Sequence, residues 1–152
     1  MNKAVIVYAS THHGNTRKLV DAVSREFAVE LIDATVQPQA DLSEYDLIGF
    51  ASGICFGKFY TPVEQFLKEN LPENKCVFFL YTCAKCSCRF TESIRKEAQK
   101  KEAILLGEYG CRGYNTFGPW KLIGGMNKNR PGKTELEAAL RFYETLLESK
   151  KN

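Results

Sequence analysis

Five short and almost unbroken apolar runs, separated by stretches whose apolar residues recur at helical spacing, restrict this chain to very few folds. The runs cover residues 5–8 (Val5, Ile6, Val7, Tyr8), 29–33, 46–52, 76–82 and 103–109, and the fourth of them, CVFFLYT, is the most apolar. A strand that is apolar at successive rather than alternate positions is buried on both faces, which is the mark of a parallel sheet covered by helices. The intervening segments supply those helices. Leu19, Val20, Val23 and Phe27 lie on one helical face, as do Val63, Phe66 and Leu67, then Ile94 and Ala98 within 91–101, and finally Leu136, Leu140, Tyr143 and Leu147. Thr61 before Pro62, with Glu64 three residues on, predicts an N-cap, a first-turn proline and a capping box, and Thr134 with Glu137 repeats the box. Strand and helix alternate throughout, so right-handed crossovers predict an α/β fold: a three-layer, doubly wound sandwich around a five-stranded parallel sheet.

A chain of 152 residues suits one domain spanning 1–152, and 44% hydrophobic with 26% charged residues is ordinary globular composition without repeats or low-complexity tracts. The first run reads as a strand and not as an export signal, and no run reaches membrane-spanning length; a cytoplasmic protein is expected. In that setting the six cysteines are expected as reduced thiols or functional groups, not as a disulfide framework. The 21 basic and 18 acidic residues are scattered, and the resulting charge of +3 makes no nucleic-acid stripe. Lys96, Lys100 and Lys101 read as a solvated helix end.

In doubly wound sheets ligands sit outside the carboxyl ends of the strands, which directs attention to the loops 10–16, 53–60 and 83–90 and to the stretch after Tyr109. The first loop ends at a helix whose N-terminus favours an anion. Thr11, Asn15 and Thr16 add side-chain donors, and Gly14 allows close approach of the backbone. A dinucleotide loop needs G-x-G-x-x-G, whereas only Gly14 is present, although Asp33 ends the second strand as a ribose-binding acid would. A triphosphate loop needs G-x-x-x-x-G-K-[ST], which the chain lacks. What remains is a hydroxyl-rich loop for a monophosphate.

On these residues the chain resembles the flavodoxin family, whose phosphate loop reads [ST]-x-[ST]-G-x-T where this chain has Thr11-His12-His13-Gly14-Asn15-Thr16. His13 replaces a hydroxyl residue, exchanging a hydroxyl contact for an imidazole or backbone one; His12 and His13 as two exposed loop imidazoles is the plainer alternative. The resemblance implies a sheet order of 2-1-3-4-5 and FMN as cofactor. It assigns the phosphate to Ser10, Thr11, His12, His13, Gly14, Asn15 and Thr16. It assigns the flavin ring to Ser52, Gly53, Ile54, Cys55, Phe56 and Gly57 on one side and to Thr82, Cys83 and Ala84 on the other. In this second loop a peptide carbonyl can turn toward flavin N5, and Phe56, Phe59 and Tyr60 offer stacking faces unless they are core residues. Residues 110–129 resemble the matching region of small flavodoxin-like proteins from anaerobes, which extends the likeness over the whole chain. Trp120 there covers a ligand, meets a partner or packs on the surface.

The departure is Cys83-Ala84-Lys85-Cys86-Ser87-Cys88-Arg89, where the family places an aromatic flavin contact. Four readings compete, in this order: small residues replacing a contact loop; a redox-active dithiol of Cys83 and Cys86; a metal or iron-sulfur site with Cys55 or Cys111; and a cysteine phosphatase loop using Cys83 and Arg89, which lacks the internal glycine such loops need. Cys76 reads as a small core residue. The resemblance implies an electron carrier between redox partner proteins, with no nucleic-acid or membrane partner, acting as a monomer or weak dimer. The alternatives are an FMN oxidoreductase of quinones or porphyrinogens, because ASGICFGKFYTPVEQF also resembles the loop of flavodoxin-like protoporphyrinogen oxidase, and a binding module that has lost FMN.

Overall fold

The apolar runs build one sheet. In a computed structural model, which describes residues 3–10, 14–85, 87–113 and 130–151, β1 (Ala4–Ala9), β2 (Glu30–Asp33), β3 (Leu47–Cys55), β5 (Cys76–Cys83) and β6 (Ile104–Arg112) are mutually parallel. Their order is β2-β1-β3-β5-β6. With the two-residue β4 (Lys58–Phe59) set aside, this is the expected 2-1-3-4-5 order.

Because side chains alternate across a strand, each apolar run feeds two cores. On one face Val5, Val7, Ile48, Phe50, Val77 and Phe79 pack with Val63, Phe66 and Leu67 of α2 (Thr61–Asn70) and Ile94 and Ala98 of α3 (Glu92–Lys100). On the other, Ile6, Tyr8, Ala51, Phe78 and Leu80 meet Leu19, Val20 and Val23 of α1 (Asn15–Phe27) and Ala139, Tyr143 and Leu146 of α4 (Lys133–Lys151). Leu136, Leu140 and Leu147 are half-buried against this second core. The three layers follow directly.

Both capping boxes fail, for separate reasons. The N-cap position of α2 is Tyr60, with Pro62 in the first turn as expected, and the Glu64 carboxylate is instead buried and accepts the Ser93 hydroxyl from α3 at 2.5 Å. α4 starts one residue earlier than Thr134, and Glu135 rather than Glu137 turns back, accepting Gly132 N at 3.4 Å and pairing with Arg130 at 3.3 Å. The helix expected over 91–101 is α3, Glu92–Lys100, and a 3-10 turn, Cys88–Thr91, leads into it. Thr91 is drawn away from a capping role because its hydroxyl donates to the Glu108 carboxylate on β6, at 2.8 Å and 2.9 Å, and accepts from Arg95 at 2.6 Å.

β4 is an addition that the sequence pattern did not announce. It pairs antiparallel with the end of β3, Ile54 opposite Phe59 and Cys55 opposite Lys58, through the two-residue turn Phe56-Gly57. Both turn residues have positive φ, 52° and 78°, as the tight hairpin turn matching strand twist requires. An aromatic at the first of these positions hides the usual Asn-Gly or Asp-Gly signal.

Candidate functional site

Strand register brings the expected site segments onto one edge. Ala9 lies beside Ser52, Gly53 beside Thr82, Thr82 beside Cys111, and Cys83 beside Arg112. The carboxyl ends of β1, β3 and β5 are therefore neighbours, and the loops that leave them start side by side.

At the first loop Gly14 adopts the left-handed conformation, φ 65° and ψ 22°, and stands at the N-cap position of α1 without a side-chain cap. Among the described residues, a Cβ placed there would meet nothing within 4 Å. The first turn of α1 carries no acidic residue, while Arg17 and Lys18 follow closely, a sign of charge that suits an anion. Ser10 Oγ accepts Arg17 N at 2.9 Å and so joins the end of β1 to the helix. Arg17 also donates to Tyr8 Oη at 2.5 Å and pairs with Asp21 at 2.9 Å. Thr16, expected as a side-chain donor, is buried, and its Oγ1 lies 3.0 Å from Thr82 Oγ1, bonding α1 to β5. Asn15 is buried as well, packed so closely under Gly113 that a Cβ on that glycine would lie 2.6 Å from Asn15 Nδ2. Gly113 was missed from sequence because its partner is 98 positions away by number, 113 against 15. Thr11, His12 and His13 lie outside the described residues.

At the second loop Ser52 is fully buried, donates to Gly53 O at 2.5 Å and accepts Tyr60 N at 2.8 Å. Those two bonds hold the hairpin against the end of β3. The Tyr60 hydroxyl occupies the space where a Gly53 Cβ would stand, 2.7 Å away. Ile54 and Cys55 are half-buried in the hairpin, and Phe56 at its tip is fully exposed. Phe59 is no stacking face: it is 1% exposed and packs on Phe79 and Tyr81 with ring centroids 6.0 Å and 6.1 Å away. A cleft of about 350 Å³ is lined by Thr35, Cys55, Phe56, Tyr60 and Pro62 among others.

At the third loop Thr82 and Cys83 are buried and Ala84 is half-buried. Cys83 is disulfide-bonded, which corrects the expectation of reduced thiols at this position; its Sγ, having no proton, rests in contact with Cys111 O at 3.3 Å. Cys86 and Trp120 lie outside the described residues. Cys55, Cys76, Cys88 and Cys111 are free thiols. Burial, with the Glu135 carboxylate nearby, pushes the Cys111 thiol up to about 12, and burial does the same for the Tyr109 phenol. Cys111 belongs to β6 and not to a loop. Among the described residues no three His, Cys, Asp or Glu side chains gather as metal ligands, and no helix is long and apolar enough to cross a membrane.

These features define a doubly wound α/β protein with a candidate ligand edge at the carboxyl ends of three adjacent strands. The flavodoxin-domain family model matches residues 5–110, and the chain belongs to the flavodoxin family. An uncharacterized protein of Methanocaldococcus jannaschii is 34% identical over 149 residues, which cover 97% of this chain and 99% of that relative. Among solved structures, a flavodoxin from the domain Archaea superposes with a TM-score of 0.68 at 19% identity, covering 99% of both chains. A flavoprotein of Lactobacillus acidophilus solved in complex with FMN superposes with a TM-score of 0.57 at 18% identity, covering 72% of this chain and 93% of that one.

Proposed function

We propose that this protein binds FMN at the carboxyl edge of β1, β3 and β5 and carries electrons between redox proteins in the cytoplasm, its residues 1–152 acting as one unit, monomeric or weakly dimeric. The observation that supports this most is the start of α1 at a left-handed Gly14, without acidic residues in its first turn, at the end of β1 beside the ends of β3 and β5. The residues fit the group. A phosphate monoester takes backbone N-H groups at a helix N-terminus and hydroxyl or imidazole donors, which Ser10, Thr11, His12, His13, Gly14, Asn15 and Thr16 supply; Thr16 takes part through its backbone, since its hydroxyl is engaged with Thr82. A flat ring needs apolar and peptide surfaces on either side, which Ser52, Gly53, Ile54, Cys55, Phe56 and Gly57 offer across from Thr82, Cys83 and Ala84.

Bound FMN supplies one- and two-electron chemistry, and the chain's part is to place it, exclude water from it and set its potential. Ser52 does the placing in the second loop, since its two hydrogen bonds fix the peptide after Gly53 relative to Tyr60. Net charge sets part of the potential: low-potential flavodoxins are acidic and disfavour a negatively charged reduced flavin, whereas this chain carries +3. Anaerobic spectroelectrochemistry should therefore give a less negative second potential than acidic flavodoxins show, and a strongly negative value would contradict the role given to charge.

An FMN oxidoreductase of quinones or porphyrinogens is the second reading. The cleft of about 350 Å³ beside Cys55, Phe56 and Tyr60 favours it, being of a size that takes a small organic molecule. Reduction of a quinone by NAD(P)H without a separate reductase would select this reading over the carrier.

A further inference from the structure

Exposed cations without an ion pair among the described residues occur at both ends of the sheet, Lys151 beside Ala4 and Leu47 at the amino end among them, and at the carboxyl end two of them share one cleft. At the amino end Lys3 is neutralised by Glu44 at 2.7 Å, and Lys75 Nζ donates to the carbonyls of Ser43 and Tyr45 at 2.7 Å and 2.9 Å. At the carboxyl end Lys58 on β4, Arg89 in the 3-10 turn, Lys85 and Arg112 are all exposed, and none of them makes an ion pair among the described residues. Lys58 and Arg89 share one open cleft of about 400 Å³ with Lys96, Glu92, Ser93, Phe56 and Gly57. Three cations therefore face one carboxylate, and that carboxylate is itself only 4.0 Å from Lys96 in an exposed pair. Phe56 stands in this charged setting with its ring fully exposed. Its position also demands positive φ, 52°, where asparagine, aspartate or glycine would be easier, so neither stability nor turn geometry accounts for an aromatic there.

We propose that this face docks an acidic electron-transfer protein, with Phe56 as the apolar centre and Lys58, Arg89 and Lys96 as the charged rim. The proposal rests on the electron-carrier reading and names its partner by charge. Phe56 follows Cys55 directly, so a protein seated on the hairpin tip would lie beside residues assigned to the flavin ring. Small contacts of an exposed aromatic within complementary charge are typical of transient redox encounters, which depend on steering more than on area. A nucleic-acid partner is disfavoured because the cleft holds only three cations together with a carboxylate, short of the stripe that tracks a phosphate backbone.

The test is a titration of ¹⁵N-labelled holoprotein with zinc-substituted rubredoxin, an acidic protein that cannot take up an electron, while flavin absorbance is recorded in the same samples. Docking is thereby read separately from FMN binding. Amide shifts are expected at 55–59 and 87–96, with affinity falling at least about tenfold as salt rises from about 20 to about 300 mM. The pair Lys58→Glu and Arg89→Glu should weaken binding at least about tenfold, as reversal of two rim charges requires. Phe56→Asn, a residue that suits the turn, should weaken docking several-fold in samples whose flavin absorbance shows FMN retained. The proposal is overturned by no shifts, by shifts confined to other surfaces, by charge-reversed protein that binds equally well, or by equal binding of basic cytochrome c or of a short oligonucleotide.

Discussion

At the scale of single residues, the buried Thr16–Thr82 bond is the most informative contact near the candidate site, because it decides which atoms remain for a ligand. Both hydroxyls are within buried residues and 3.0 Å apart, so each satisfies the other in place of water. Thr16→Val keeps the shape but strands the Thr82 hydroxyl, a cost of about 1–3 kcal/mol, whereas changing both to valine removes the pair together and is expected to be nearly neutral. Urea unfolding of the two single variants and the double variant measures this; additive losses would show that the bond carries no mutual satisfaction. Glycines at this scale were legible in part. Gly14 could be read as a phosphate-loop residue from its place between an apolar strand and an amphipathic helix, and it does hold φ 65°. Gly113 could not, since its reason is the Asn15 side chain packed against it. Phe59 shows the converse failure: three aromatics within five residues look alike in sequence, and only hairpin pairing sends Phe59 into the core while leaving Phe56 outside.

At the scale of elements, the β6–α4 side of the molecule holds three weak acids, Cys111 and Tyr143 buried and Tyr109 half-buried, whose pKa is raised. Burial pushes Tyr109 and Cys111 on β6 and Tyr143 on α4 each up to about 12. The unfolded chain releases these protons at about 9 to 10, as ordinary thiols and phenols do, so above that range the folded state holds more protons than the unfolded state. Stability is then fully present below pH of about 9 and is lost as pH rises toward about 12. Tyr143→Phe removes one of the three groups and should make the fall in urea midpoint between these limits shallower, with little change at neutral pH. An unchanged slope would mean that Tyr143 is not part of the alkaline loss. Elements themselves were readable wherever the apolar pattern was long: five strands and four helices lie where periodicity put them, to within a few residues. Element ends were not. Glu64 and Thr91 carry side chains suited to capping, yet Ser93 and Glu108 on other elements engage them, and no local pattern reports a competitor distant in sequence. The same holds for β4, whose turn depends on positive φ at Phe56, a residue that does not advertise it.

At the scale of the whole molecule, strand order does the positioning. With β1 between β2 and β3, and β3 between β1 and β5, the three loops that leave β1, β3 and β5 open on one edge, although they lie far apart in the chain. Family membership and this edge were foreshadowed by the phosphate-loop pattern and the unbroken apolar runs. The state of Cys83 was not, because pairing of a thiol depends on geometry that spacing alone leaves open. Lys58, Arg89 and Lys96 share a cleft beside this edge, so the end that would receive the cofactor is the end that would meet an acidic partner. Everything said of function turns on a phosphate being held at the start of α1. The most direct measurement is a pair of titrations of flavin-free protein, one with FMN and one with riboflavin, followed by flavin absorbance and fluorescence. A single saturable site with perturbed spectra is expected for FMN, with riboflavin weaker by at least about a hundredfold, or about 3 kcal/mol, for want of the phosphate. Equal affinity for the two flavins, or no saturable binding of either, would contradict the assignment of Gly14 and the start of α1 as a phosphate site.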